Sequence, residues 1–171
     1  MILLDPLIFQ LRDQTVKAKA MEEIEAILAL NMLHETETSL LTRETLTQMR
    51  AEAFYSASAG NGRDGYLISF DQDGDYDSVN FHWFKMRYPR FVYIDRVVVA
   101  AHARGQGIAR RFYEGLFDQA RVVGHAHVTC EINLAPPNPG SLAFHKALGF
   151  VEVGQADLSP SKRVSYQAFT L

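Results

Sequence analysis

With one cysteine in 171 residues, Cys130, the chain cannot close an internal disulfide and must hold its fold by packing. Nothing in the sequence places an activating base beside Cys130, and its apolar neighbours read as a buried strand rather than a nucleophile's setting. No apolar run approaches the ~18 residues of a membrane span. The start, Met1-Ile2-Leu3-Leu4-Asp5-Pro6, lacks the basic segment of a secretory leader, so a soluble cytoplasmic protein is expected. An excess of either charge is missing too: 17 Lys and Arg face 20 Asp and Glu, which offers no general attraction to nucleic acid or to an anionic membrane. Metal-ligand sets are equally scarce. His125 and His127 alternate without the further Cys, His or carboxylate that a zinc site needs. The run from Asp71 to Asp77 has the carboxylates of a calcium loop, but Gly74 comes early and His82 stands where the bidentate glutamate belongs. A solvated hairpin turn is expected there, and no metal anywhere.

What is present suffices for one core: 47% of the residues are apolar, at a length typical of one domain, here 1–171. Residues 7–11 read as a first strand. Residues 21–33 place Ile24, Ile27, Leu28 and Leu33 on one helical face, and Thr42 opens a second helix to about Ala53. Residues 54–58 and 66–70 read as strands joined by a glycine-rich turn. Residues 80–91 read as a strand with alternating faces and then a loop. Their aromatic and cationic side chains, Trp83, Arg87 and Phe91 among them, also make this segment a candidate acceptor wall. A strand from Tyr93, a helix over 107–122, a strand over 127–133, a helix over 141–148 and a closing antiparallel pair, 151–156 with 164–171, complete the chain. The strand-helix-strand order from Tyr93 to Asn133 implies a parallel pair inside a mixed sheet.

The chemistry concentrates after the Tyr93 strand. There Arg104-Gly105-Gln106-Gly107-Ile108-Ala109 leads directly into an amphipathic helix, so free backbone N–H groups and the helix dipole both favour an anionic phosphate. A nucleotide P-loop would need Lys and Ser/Thr where Ile108 and Ala109 stand. A dinucleotide fingerprint would need a third glycine at Arg110, although Glu131 could pass for its ribose-binding acid.

The segment instead resembles the cofactor loop of the GNAT superfamily of N-acetyltransferases, Gln/Arg-x-x-Gly-x-Gly/Ala, filled here by Arg104, Gly107 and Ala109. A second stretch, from Asn138 through Ser141, Phe144 and His145 to Gly149-Phe150, is similar to that family's Asn-x-x-Ala-x-x-(apolar)-Tyr and the Gly-Phe after it, with His145 in place of the tyrosine. The resemblance covers residues 93–153. It implies an α/β (α+β mixed) fold: a mixed, mostly antiparallel sheet of about six to seven strands with a splayed parallel pair, flanked by about four helices. It also implies acetyl-coenzyme A as co-substrate. Its diphosphate would lie on Arg104, Gly105, Gln106, Gly107, Ile108, Ala109 and Arg110, and its pantetheine along the main chain of Val97, Val98 and Val99 and beside Asn138, Ser141 and His145.

Direct acetyl transfer to an amine needs a base for the ammonium, help for the oxyanion and a proton for the thiolate. Asp95 stands where the family often has a carboxylate and is either the first candidate base, with Glu131 on the next strand as its substitute, or a strand-end acid paired with Arg96 or Arg90. The main-chain N–H of Val97 is a candidate oxyanion donor. His145 is either the acid for the thiolate or a packed helix residue. The expected partner is a small-molecule or amino-acid-like amine, with a homodimer left open. Two other readings stay open: a non-catalytic acyl-coenzyme A sensor, and acetylation of a protein N-terminus or lysine.

Overall fold

The computed structural model describes the backbone of residues 6–171 and the side chains from residue 14 onward. Its elements run α1 (Pro6–Met32), α2 (Glu35–Thr38), α3 (Arg43–Glu52), β1 (Tyr55–Ala59), β2 (Gly65–Asp71), α4 (Val79–Lys85), β3 (Phe91–Val99), one 3-10 turn (Ala101–Ala103), α5 (Ile108–Val123), β4 (His127–Ala135), α6 (Pro139–Leu148), β5 (Val151–Ser159) and β6 (Lys162–Thr170). The strands form one six-stranded sheet in the order β1-β2-β3-β4-β6-β5. Every neighbouring pair is antiparallel except β3 and β4, so the mixed sheet implied by the sequence is present.

The parallel pair is short. Phe91 pairs with His127, Val92 with Val128 and Tyr93 with Thr129, and beyond those residues the strands part. At that point β3 carries a bulge against β2: Ile68 pairs with Arg96 and Ser69 with Ile94, leaving Asp95 as the extra residue. A bulge bends its strand and sharpens its twist, which turns β3 away from β4 and re-aims the side chain at the bulge. The core lies on both faces. On one, α5 buries Phe112, Leu116 and Ala120 at helical spacing with Ile108, Tyr113 and Phe117. On the other, Phe81, Phe84, Phe91 and Tyr93 form a contiguous aromatic cluster with ring centroids 5.6 to 6.3 Å apart.

Two segments differ from their expected form. Residues 7–11 are helical, the opening of α1, and not a strand. A short apolar run cannot be told from a buried strand by pattern alone, and after Pro6 no glycine or proline interrupts the chain before Met32. Residues 80–91 are a helix and a turn leading into β3. Ser78 caps α4, its Oγ accepting from the Phe81 N–H at 3.5 Å, and Asn80, Phe81 and Phe84 make its buried face. Its aromatic content mimics a strand, while the cap decides for helix. The turn after Asp71 closes through Gly74 N–H to Asp71 O at 3.1 Å, but it leads to α4 and is not a hairpin between neighbouring strands. Among the described residues six α-helices stand where about four were expected, because α2 and α4 are too short to leave a periodic signal.

One close contact gives a direct test of packing. A Cβ built on Gly154 in β5 would lie 2.6 Å from Cζ2 of Trp83, whose ring is stacked on Tyr166 at 4.1 Å and cannot retreat. Gly154→Ala is expected to cost about 1–3 kcal/mol by overpacking, measured as a lower urea midpoint with an unchanged slope.

Candidate active site

The loop between β3 and α5 is built to leave amides free. Gly105 and Gly107 hold φ of +75° and +73°, and Gly107 is the N-cap of α5 with no side-chain cap bond. The first-turn N–H groups of α5 therefore lack both intrahelical and side-chain capping acceptors, and their residues Ile108, Ala109 and Arg110 line the groove mouth. A Cβ on Gly105 would meet no atom within 4 Å, and one on Gly107 only Arg111 Nη1 at 3.5 Å, so the glycines serve the positive-φ backbone and not close packing. Arg104 and Arg110 border this mouth with Gly105, Gly107, Ile108 and Ala109 around a cavity of about 310 Å³. Gln106 is exposed beside it and donates to His102 O at 3.3 Å. The sites proposed for a diphosphate thus meet at one rim. Gly107→Val is expected to raise the KM for acetyl-coenzyme A by about tenfold or more, since a β-branched residue resists positive φ and the amides turn away. Initial-rate kinetics at varied acetyl-coenzyme A check this.

From that rim the groove continues into a cavity of about 400 Å³ that Val97, Val98 and Val99 share with Asn138, Ser141, Phe144 and His145. Beyond Tyr93 the β4-facing edge of β3 has no strand partner, so its alternate main-chain groups are open to a ligand. Asn138 caps α6, its Oδ1 accepting from the Ser141 N–H at 3.1 Å, which fixes this wall. The groove ends in a smaller cavity of about 70 Å³, floored by Asp95, Arg96 and Glu131 and closed by Glu37 and Thr38 of α2.

At this floor the two carboxylates have different surroundings. Asp95 is bound to Arg96 Nε at 2.5 Å and to the Tyr76 hydroxyl, and its side chain is only 8% exposed. Arg96 is 4% exposed, and Asp95 is its one ion-pair partner among the described residues. Burial works against that guanidinium's charge, but the Asp95 carboxylate more than offsets it. Among the described residues Glu131 has no such cation. It accepts a hydrogen bond from Tyr93 Oη at 2.7 Å. Burial pushes its pKa up to about 7; the Tyr93 bond works against the rise and the nearby Asp95 charge adds to it.

His145 is buried, and its partners define its tautomer. Nδ1 lies 2.8 Å from the Ser141 carbonyl oxygen, which can only accept, so Nδ1 carries the hydrogen. Nε2 then accepts from the Tyr113 hydroxyl at 2.7 Å. Burial lowers the His145 pKa, and the bond to Ser141 opposes the shift. Both ring nitrogens are thus engaged by protein, and the only ring hydrogen is directed into α6.

The remaining candidates lie elsewhere. Trp83 stacks on Tyr166, Arg87 rests its guanidinium 3.9 Å over the Trp83 ring, and Phe91 is fully buried at the paired end of β3. None of the three lines the groove. Cys130 does line its floor, but burial, with the Glu131 charge adding, pushes its thiol well above the usual range. Among the described residues no group of three or more His, Cys, Asp or Glu could hold a metal ion, and no helix is long and apolar enough to cross a membrane. Sequence reasoning missed Tyr93, Tyr76, Tyr113 and the α2 wall, each of which acts through contacts distant in sequence, whereas the pairing of Asp95 with its neighbour Arg96 is one of the expected alternatives and is present.

The family model described as the acetyltransferase (GNAT) family matches residues 29–150. An L-2,4-diaminobutyric acid acetyltransferase of Wolinella succinogenes is 30% identical over 90 residues, 52% of this chain and 52% of that protein, so the chain spans about half the length of this curated relative. Among solved structures, Ard1 from Thermoplasma volcanium superposes with a TM-score of 0.67 at 16% identity, over 88% of this chain and 92% of that one. The NatC complex bound to Gag peptide and CoA gives 0.64 at 15% identity, over 88% and 91%. A strand parted from its neighbour, a glycine loop of free amides and a family model covering most of the length lead to one assignment: the chain belongs to the GNAT family of acetyltransferases, enzymes that draw their acetyl group from acetyl-coenzyme A.

Proposed function

We propose that this acetyltransferase acetylates a primary amine of a small, amino-acid-like molecule by direct attack on acetyl-coenzyme A, with Glu131 as general base. The observation that carries the reading is Glu131 itself, a carboxylate at the groove's end without a cation partner among the described residues, with a pKa raised to about 7. A base of that strength can take the proton of an alkylammonium at neutral pH, whereas a carboxylate near 4.5 is too weak to do so efficiently. Asp95, proposed first from the sequence, is committed to the charge of Arg96 and to Tyr76.

In this reading the diphosphate lies on the free amides at Gly105 to Arg110, aided by Arg104, and pantetheine lies along Val97 to Val99 opposite Asn138 and Ser141. Glu131 removes one proton from the ammonium, and the neutral nitrogen attacks the acetyl carbon. A β3 amide, that of Val97, stabilises the oxyanion at no reorganisation cost. When the C–S bond breaks, the sulfur takes the remaining ammonium proton of the adduct. His145 and Tyr113 hold the wall of the thioester site and supply no proton. The relative that acetylates L-2,4-diaminobutyrate supports a small diamino acid as the first acceptor to try.

The test is release of coenzyme A thiol from acetyl-coenzyme A with L-2,4-diaminobutyrate, simple alkylamines and short peptides with free N-termini. Turnover of the small amines above that of the peptides is expected. Turnover of peptides alone would overturn the small-molecule assignment.

A further inference from the structure

We propose that Asn31 is a positioning residue for the acceptor: it clamps the strained turn after α2 and thereby sets the wall that Glu37 and Thr38 present to the groove. Glu37 and Thr38 line both the acetyl-end cavity and the larger one beside Val97–Val99, so the place of this turn decides how an amine reaches the thioester. The turn closes on itself through Thr38 N–H to His34 O at 3.0 Å and Ser39 N–H to Glu35 O at 2.8 Å, but its last residue is strained. Ser39, which ends α2, has φ 69° and ψ 166°, a backbone region populated almost only by glycine.

Asn31, 2% exposed on α1, reaches the turn from beneath. Its Nδ2 donates to the Ser39 carbonyl at 2.9 Å. Its Oδ1 takes the Thr38 hydroxyl at 3.0 Å, a hydroxyl that also reaches His34 O at 2.9 Å. The same oxygen is anchored to the sheet by Tyr66 Oη of β2 at 2.6 Å and by Arg96 Nη1 of β3 at 3.0 Å. Donors on one side and a carbonyl on the other leave only one orientation for the amide. Through Arg96 the clamp continues to Asp95 at the bulge. One buried side chain thus joins the wall of the acceptor site to the strand that carries the cofactor edge. On this account the role of Asp95 is to neutralise the arginine that anchors the clamp.

Asn31→Asp separates the clamp's two halves. The new carboxylate still accepts from Arg96, Tyr66 and Thr38, so the core stays paired, but it cannot donate to Ser39. Amide hydrogen exchange across residues 35–40 is expected to quicken about tenfold, the value of one lost hydrogen bond, while the β3 and β4 amides keep their protection. The amine KM with L-2,4-diaminobutyrate is expected to rise by about tenfold with kcat changed far less. Adding Ser39→Gly, which adopts the same backbone without strain, is expected to restore both. The added charge is common to the single and double variants, so the rescue isolates the turn. The kinetic arm rests on the small-amine reading; the exchange arm does not, so failure of the acceptor leaves the clamp still tested. Unchanged exchange in Asn31→Asp, or quickened exchange that Ser39→Gly does not restore, overturns the proposal. A fall in kcat at constant amine KM overturns it as well.

Discussion

Glu131→Gln is expected to lower kcat by about a hundred- to ten-thousandfold, the range over which general bases contribute. Glutamine keeps the shape and still accepts from Tyr93, so acetyl-coenzyme A binding by calorimetry should stay within about threefold of the parent's. The parent's rate should follow pH in a stated direction. Below about 7 the base is protonated, so kcat/KM should fall about tenfold per pH unit as acid is added, and it should level off above that value. The same substitution should act oppositely on stability. With its pKa raised from 4.5 to about 7 on folding, Glu131 holds a proton in the native state that the unfolded chain has released between those values. The fold therefore loses stability as pH rises from about 4.5 to about 7, by roughly 3 kcal/mol in all, with no further loss above that. Removing the charge should raise the urea midpoint at pH 8 and leave it nearly unchanged at pH 4. A loss of activity together with a gain of stability is the signature of a site that maintains a strained charge for its chemistry. Retained kcat would dismiss Glu131 as the base.

Asp95→Asn is expected to destabilise the protein by about 3–5 kcal/mol, because Arg96 would be left charged and buried without its counter-ion. Denaturant unfolding at neutral pH measures this. Pairing the change with Arg96→Met removes the orphaned charge and should recover most of the loss, although the Arg96 bond to Asn31 goes with it. This outcome separates two roles that a simple activity assay would merge. If Asp95 were the base, Asp95→Asn would abolish turnover at nearly unaltered stability, and Arg96→Met would rescue nothing.

The parts of this protein legible in its sequence are those whose cause is local. Gly105 and Gly107 announce a loop that needs positive φ, the period of Phe112, Leu116 and Ala120 announces α5, and the valines before them announce a strand. The crossover between them then leaves little choice but a parallel pair. Distant causes left no mark. Tyr76 meets Asp95 from 19 residues away and Asn31 meets Arg96 from 65, and nothing in either neighbourhood says so. The bulge at Asp95 is one extra residue in a run that reads as an ordinary strand, yet it places that side chain at the groove floor. Asp95 and Glu131 looked alike as acids on neighbouring strands. Asp95 has an arginine beside it in sequence, but that Glu131 has none among the described residues, and that both are buried, is a matter of three-dimensional surroundings.

The three-rung seam between β3 and β4 has a thermodynamic corollary. Two half-sheets, β1-β2-β3 and β4-β6-β5, are joined edge to edge by only three residue pairs, and a pantetheine chain laid in the gap would supply the missing rungs as if it were a seventh strand. The co-substrate then finishes the architecture as well as feeding the reaction. At a concentration a hundred times its dissociation constant it would add about 2.7 kcal/mol to the fold, so the melting temperature becomes a gauge of cofactor supply.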